Sequence, residues 1–246
     1  MPAAGVSFTE AAAPEGMRLY AIGDVHGRAD LLKRIHDRID TELARDRPAD
    51  WRVIHLGDYV DRGSDSCGVI DFLLARMSGD KRHVALMGNH DERFAMFLRD
   101  VAEWGNFMNF GGRETGLSYG VDFSAYPDET TAHRAFQAAV PDSHIAFIDA
   151  LPYSASFGDY FFCHAGIRPG VPLADQKHED LIWIRKEFHR HEALHPKVIV
   201  HGHTPVAAPD ILASRVNLDT LAYDSGILTA MVFEGREKRL IQTEPY

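Results

Sequence analysis

Cysteine is scarce in this chain: only Cys67 and Cys163 occur among 246 residues. Two thiols cannot build a disulfide framework, so a reducing, cytoplasmic setting is expected. Long apolar runs are missing too, and nothing approaches the ~20 residues of a membrane-spanning helix. Positive charge is in deficit, with 26 Lys and Arg against 36 Asp and Glu and a formal net charge of −10. A protein that grips nucleic acid regardless of sequence needs a basic face, which this balance argues against. Residues 1–16, MPAAGVSFTEAAAPEG, lack the basic n-region and apolar core of a secretory signal and read as a small, Ala-rich, mobile tail. Histidine, by contrast, is plentiful, with 14 residues. Its special uses are metal ligation and proton transfer.

From residue 17 onward the pattern is that of one α/β domain, 17–246, without repeats or a linker. MRLYAI (17–22), VIHL (53–56) and HVALM (83–87) read as strands. ADLLKRIHDRIDTELAR, with Leu31, Ile35, Ile39 and Leu43 on one face, reads as a helix, as do SCGVIDFLLARM and ERFAMFLRDVAEW (92–104). Segment 104–126 breaks the rhythm with Gly, Asn and aromatics, and two short helices are expected near 129–139 and 142–150. Residues 104–150 thus read as a cap or insertion. The pattern then turns to β: a hairpin around Gly158-Asp159, PKVIVHGH, RVNLDT, and a final pair of strands turning near Glu234-Gly235.

The stretch VIHLGDYVDRGSDS ends an apolar strand in two carboxylates and a guanidinium. It is one of five similar places. GDVHG (23–27), GDYVDRG (57–63), GNHD (88–91), CHAG (163–166) and HGHTP (201–205) each follow a strand and set Asp, Asn or His beside Gly. Ligands of α/β sheets bind at the carboxyl ends of strands, so the five loops should converge on one edge. Each block alone is a common turn. Together they pool Asp24, His26, Asp58, Asn89, His164 and His203. Carboxylate, amide oxygen and imidazole suit Mn²⁺, Fe or Zn²⁺, and the set is too His-rich for Ca²⁺. Six donors fit two ions better than one, with Asp58 as the natural bridge.

GDVHG, GDYVDRG and GNHD resemble the signature blocks of the calcineurin-like metallophosphoesterases, and most closely the phosphoprotein phosphatase family with its bacterial and lambda-phage-like Ser/Thr phosphatases. The resemblance runs from about 17 to 235. It implies two packed mixed β-sheets flanked by helices and a dimetal site at the sheet edge, most simply with manganese. Asp24 and His26 would bind the first ion, Asp58 would bridge, and Asn89, His164 and His203 would bind the second, leaving His201 a neighbour. It further implies direct attack on phosphorus by a metal-bridging hydroxide. Arg62 would hold phosphate, and Asp61 would pair with His90 and keep it protonated as the acid for the leaving oxygen.

A second phosphate-binding Arg is expected. Arg185, in DLIWIRKEF, is the first choice and Arg168, in CHAGIRPG, the competitor. Arg28 reads as structural, and Asp219 as support for a ligating His. FGGRETGLSYG resembles the "NGG…T…SYG" stretch of bacterial Ser/Thr phosphatases, with Phe110 in place of Asn. Trp104, Arg113 and Tyr119 either face substrate or pack the cap. The leading expectation is hydrolysis of phosphoserine or phosphothreonine monoesters. The alternative is symmetrical cleavage of dinucleoside polyphosphates such as diadenosine tetraphosphate, and an inactive metal-binding scaffold comes last. The partner is then a phosphorylated protein or a small phosphate ester, not nucleic acid or a membrane. Nothing in the sequence sets an oligomeric state.

Overall fold

Along the strand Met17–Ile22 (β1) the side chains alternate between two cores, as the two-residue period of a strand requires. Leu19 and Ala21 face a core between two sheets, and Tyr20 and Ile22 face the helices outside. The computed structural model, which describes residues 5–244, repeats this division throughout. The other strands are Asp50–His55 (β2), His83–Ala85 (β3), Ser154–Phe157 (β4), Tyr160–Cys163 (β5), Val198–His201 (β6), Asp210–Ile211 (β7), Arg215–Asn217 (β8), Thr229–Glu234 (β9) and Glu237–Gln242 (β10). They form two five-stranded mixed sheets, in the orders β10-β9-β1-β2-β3 and β4-β5-β6-β8-β7. Leu19, Ile54 and Phe233 of one sheet pack with Tyr160, Phe162 and Val200 of the other.

β1, β2 and β3 run parallel, as do β5, β6 and β8. Their carboxyl ends therefore deliver Asp24, Asp58, Asn89, His164 and His203 to one edge. Helices Ala29–Asp46 (α1) and Ser66–Gly79 (α2) cover the outer face of the first sheet. Leu31, Leu32, Ile35 and Ile39 of α1 are buried there, so the apolar face seen in the sequence is the packed one.

Helix α3 spans Asn89–Arg99 and starts earlier than the expected residue 92. The Asp91 carboxylate accepts the Gly88 N–H at 3.0 Å, so the GNHD loop is itself the first helical turn. The helix also stops before the expected 104. Asp100 is extended, and its carboxylate accepts the Ala102 N–H. Beyond it, Trp104–Asn109 (α4), Gly112–Ser118 (α5), Glu129–Ala139 (α6) and Asp142–Asp149 (α7) form the cap. Trp104 stacks edge-on with Phe97 and Phe123, and the Tyr119 hydroxyl meets His144 Nδ1 at 2.8 Å. Both side chains thus pack the cap, while Arg113 is exposed. His178–Trp183 (α8), Lys186–His189 (α9) and Ala222–Ser225 (α10) complete the elements.

The mobile tail expected at 1–16 is not what residues 5–16 form; residues 1–4 lie outside the described residues. The Val6 and Phe8 amides donate to His195 O and Ala213 O, and Ala13 donates to Gly235 O. Ala11 and Ala13 enter the core between the sheets. Val6 and Phe8 pack against the same core.

Candidate metal centre

Glycine allows the loops to meet. Gly57 has φ +103°, and a Cβ there would stand 2.7 Å from the Gly88 backbone. A Cβ on Gly202 would stand 1.9 Å from Asp24 Oδ1. Non-glycine residues at the edge accept positive φ as well: His26, Asp58, Asp61, Arg62 and His203 lie between 42° and 71°. Such conformations cost about 1–3 kcal/mol each and persist only where surrounding contacts hold them.

Two buried groups of donors share Asp58: His26, Asp58 and His90 form one, and Asp58, His164 and His203 the other. Asn89 Oδ1 lies 2.9 Å from His164 Nε2 and 2.8 Å from His203 Nδ1. Donors bound at about 2.0–2.2 Å to one ion stand about 3 Å apart, so this spacing fits a shared cation. Backbone carbonyls fix the ring orientations. His26 Nδ1 is 2.9 Å from Val60 O, and His164 Nδ1 is 2.9 Å from Leu56 O. With those nitrogens donating, each Nε2 turns a lone pair inward, the usual arrangement of a metal-binding histidine. Asp24 stands outside both groups and accepts the His203 N–H at 3.1 Å. It is buried beside them.

The charge balance also asks for cations. Burial, reinforced by Asp219 and Asp58, pushes the Asp24 carboxyl well above the usual range. Burial opposes ionisation of Asp58, yet His164, His90 and His26 hold it well below that range. His164 rises to about 9, because Asp58, Asp24 and Asp91 outweigh its burial. A proton there does what a divalent ion would do better, since the ion neutralises several donors at once. Asp24, His26, Asp58, Asn89, His164 and His203 are thus a donor set that could hold two cations around Asp58.

His90 Nδ1 and Asp61 Oδ2 are 2.7 Å apart. The expectation that this pair keeps His90 charged needs correction. Burial, helped by Arg62, His164 and Arg93, lowers His90 to about 4 despite Asp58. Arg62 Nη2 donates to His90 Nε2 at 3.2 Å, which requires a neutral ring there. Asp61 therefore orients His90 and selects its tautomer. Asp61 is in turn held by Thr115, whose hydroxyl donates to its Oδ1 at 2.8 Å and accepts its N–H at 2.9 Å.

Arg62 also reaches His26 Nε2 at 3.3 Å, and its guanidinium lies 5.1 Å from the Tyr223 ring. Arg185 Nε donates to His203 Nε2 at 2.9 Å, so it borders the site. Arg168 does not join it. Its guanidinium is paired with Asp180, with Nε at 2.9 Å. Arg28 ties α10 down through Ala222 O. Among the described residues the Asp219 carboxylate hydrogen-bonds no histidine and instead accepts the Leu221 N–H. His201 is buried, is absent from both donor groups, and its Nε2 has no hydrogen-bond partner.

Sequence reasoning overlooked Asp91, whose carboxylate accepts the Asp58 and Tyr59 amides at 2.8 Å each and so fixes the shared ligand. It also overlooked Tyr223 and the role of Thr115. The Thr of the GGRETG stretch was the available signal for the latter.

A family model described as calcineurin-like phosphoesterase matches residues 17–232. The chain belongs to the calcineurin-like phosphoesterases. Among curated relatives of this phosphoesterase is the asymmetrical bis(5′-nucleosyl)-tetraphosphatase PrpE of Anoxybacillus flavithermus. It is 25% identical over 249 residues, covering 92% of this chain and 94% of the relative. The Bacillus cereus protein of the same name is 24% identical over 242 residues, covering 90% and 92%. Two solved structures share the fold. One, assigned provisionally as a diadenosine tetraphosphatase, has TM-score 0.63 at 19% identity, covering 92% and 94% of the chains. The other, a Saccharomyces cerevisiae protein serine/threonine phosphatase, has TM-score 0.57 at 14% identity, covering 95% and 81%.

Proposed function

We propose that this phosphoesterase hydrolyses dinucleoside polyphosphates such as diadenosine tetraphosphate, and that it cuts them asymmetrically. The observation that carries the reading is the end-to-end similarity to two curated tetraphosphatases of that specificity. The site's chemistry supports it. Bound divalent cations, with Mn²⁺ the first choice, would activate water and neutralise phosphate oxygens. Arg62 and Arg185 would grip the same phosphate from either side of the donor groups. His90 would pass a proton from Nε2 to the departing phosphate oxygen, with Asp61 holding its Nδ1–H. The neutral ring of the free site takes up that proton from solvent when an anionic phosphate oxygen replaces it as partner of Arg62. The cytoplasm, where nucleotides are abundant, is the proposed setting.

A second reading, hydrolysis of phosphoserine or phosphothreonine, is kept because the Asp61–His90 pair and Arg62 serve any phosphate ester. One experiment separates the two. The Mn²⁺-loaded protein is given diadenosine tetraphosphate and a phosphoserine peptide, and nucleotide products are resolved by chromatography. Tetraphosphate is expected to lead by about tenfold or more in kcat/KM, with ATP and AMP as products. Two ADP would make the cleavage symmetrical. A peptide turned over faster than tetraphosphate would replace the first reading by the second.

A further inference from the structure

Arg93 lies one turn beyond Asn89 and His90 on α3, on the face those residues present to the site. Its guanidinium carbon is 4.4 Å from the Phe110 ring centre and 4.6 Å from that of Trp183. Both rings border the site. Phe110 meets His90 edge-on at 5.4 Å, and Trp183 meets His203 at 6.1 Å. Among the described residues no carboxylate forms an ion pair with Arg93, and its Nε is buried without a hydrogen-bond partner. Arg28, Arg99 and Arg168 all pair with Asp. A guanidinium stacked on aromatic faces is held in place while its N–H edge stays free for an anion.

Arg62 and Arg185 already flank the donor groups, so Arg93 is a third guanidinium at the site's rim. It stands one turn farther along α3 than Asn89 and His90, over Phe110 and Trp183, where a neighbouring phosphate would reach it. We infer that Arg93 binds the phosphate adjoining the scissile one, so that the site prefers a chain of at least two phosphates to a lone monoester. This inference rests on the tetraphosphatase reading and deepens it. Arg93 and Trp183 line a cleft of about 430 Å³ that also carries Glu92, Glu103 and Glu179. Glu92 already accepts the Tyr153 hydroxyl and Glu103 the Asn106 amide, so neither is paired with Arg93.

The test compares the wild-type protein with Arg93→Met, which keeps the stem between the rings, and with Arg93→Gln. Two ratios are measured at equal metal content: kcat/KM for diadenosine tetraphosphate over that for an aryl phosphate, and Ki for inorganic phosphate over that for pyrophosphate in competition with the aryl phosphate. Both ratios are expected to fall by about tenfold or more, the worth of a charge-assisted hydrogen bond. Arg93→Lys should recover part of each. Ratios unchanged in both neutral variants would overturn the inference, whether or not overall activity drops. If the wild-type protein fails to cleave tetraphosphate, the tetraphosphatase reading falls. The phosphate-to-pyrophosphate ratio then still decides for or against Arg93.

Discussion

His26, Asp58, Asp61, Arg62 and His203 all sit at positive φ, and all five contact the donor groups or belong to them. Strain gathered this way means that neighbouring contacts, not local preference, set each side chain's place. His90 is the residue whose chemistry is most open to measurement. His90→Asn should lower kcat by about 10²–10⁴, the usual worth of a general acid, with metal content unchanged by elemental analysis. The loss should be largest on an alkyl phosphate and smaller on an aryl phosphate, whose leaving group needs little proton help. No loss on either would remove His90 from the reaction. The donor loops were legible because each couples Asp, Asn or His to Gly after a strand. The protonation state of His90 was not, because burial outweighs the neighbouring carboxylate and burial is not written in a local motif. Arg168 misled for a similar reason, since its partner Asp180 is local in sequence but is placed by the turn into α8.

The aperiodic stretch before residue 126 proves to be a buttress. Thr115 of α5 holds Asp61, and Gly111 O accepts the Arg62 N–H at 3.2 Å. Thr115→Val keeps the shape and removes the two hydroxyl contacts with Asp61, together with the one to Ser66 Oγ. It should cost about 1–3 kcal/mol in denaturant unfolding and lower kcat more than it raises KM, while Thr115→Ser restores kcat. Unaltered kcat in the valine variant would show that Asp61 needs no such support. Helical periodicity could not expose this element, because its short turns are placed by contacts with the DRG loop. The strap at residues 5–16 escaped notice differently: alanines carry no strong pattern, and only packing shows that Ala11 is fully buried. Ala11→Asp should therefore destabilise the protein by roughly 3 kcal/mol or more, readable as a lower Tm. A Tm unchanged by that substitution would mean the strap lies loose in solution.

The five strand-borne motifs and the α/β alternation made the architecture legible, yet the pairing of β1 with β9 crosses nearly the whole chain and left no local mark. Stability of the whole molecule should also carry a mark of its buried histidines. His36 Nε2 and His55 Nε2 are 2.9 Å apart in the outer core, away from the donor groups. Burial lowers His55 to about 3 and His36 well below its ordinary value. Both are neutral when folded, whereas the unfolded chain protonates them below about pH 6.5. The unfolded state then binds more protons, so stability falls with pH below that point and is unaffected by these groups above it. Each contributes about 1.4 kcal/mol per pH unit. In metal-free protein unfolded by urea between pH 7 and 5, His36→Phe should make the slope shallower by about one proton. An identical slope would mean His36 is already protonated when folded.

The placement of β1 has a temporal consequence as well. Arg18 at its start is bonded to Glu234, 216 positions along the chain. During synthesis β1 can pair with β2 early, but its other edge stays open until β9 leaves the ribosome. That edge is a row of unpaired backbone groups, and the face that carries Leu19 and Ala21 also waits for the second sheet, the kind of surface on which nascent chains associate. Completion of the metal edge must wait too, because His203 and β8 arrive only shortly before β9. Closure of the sandwich thus waits for its last strands: a chain cut short of β9 should collapse without closing it, and a circular permutant that joins the strap to β10 and makes β9 early should close it sooner.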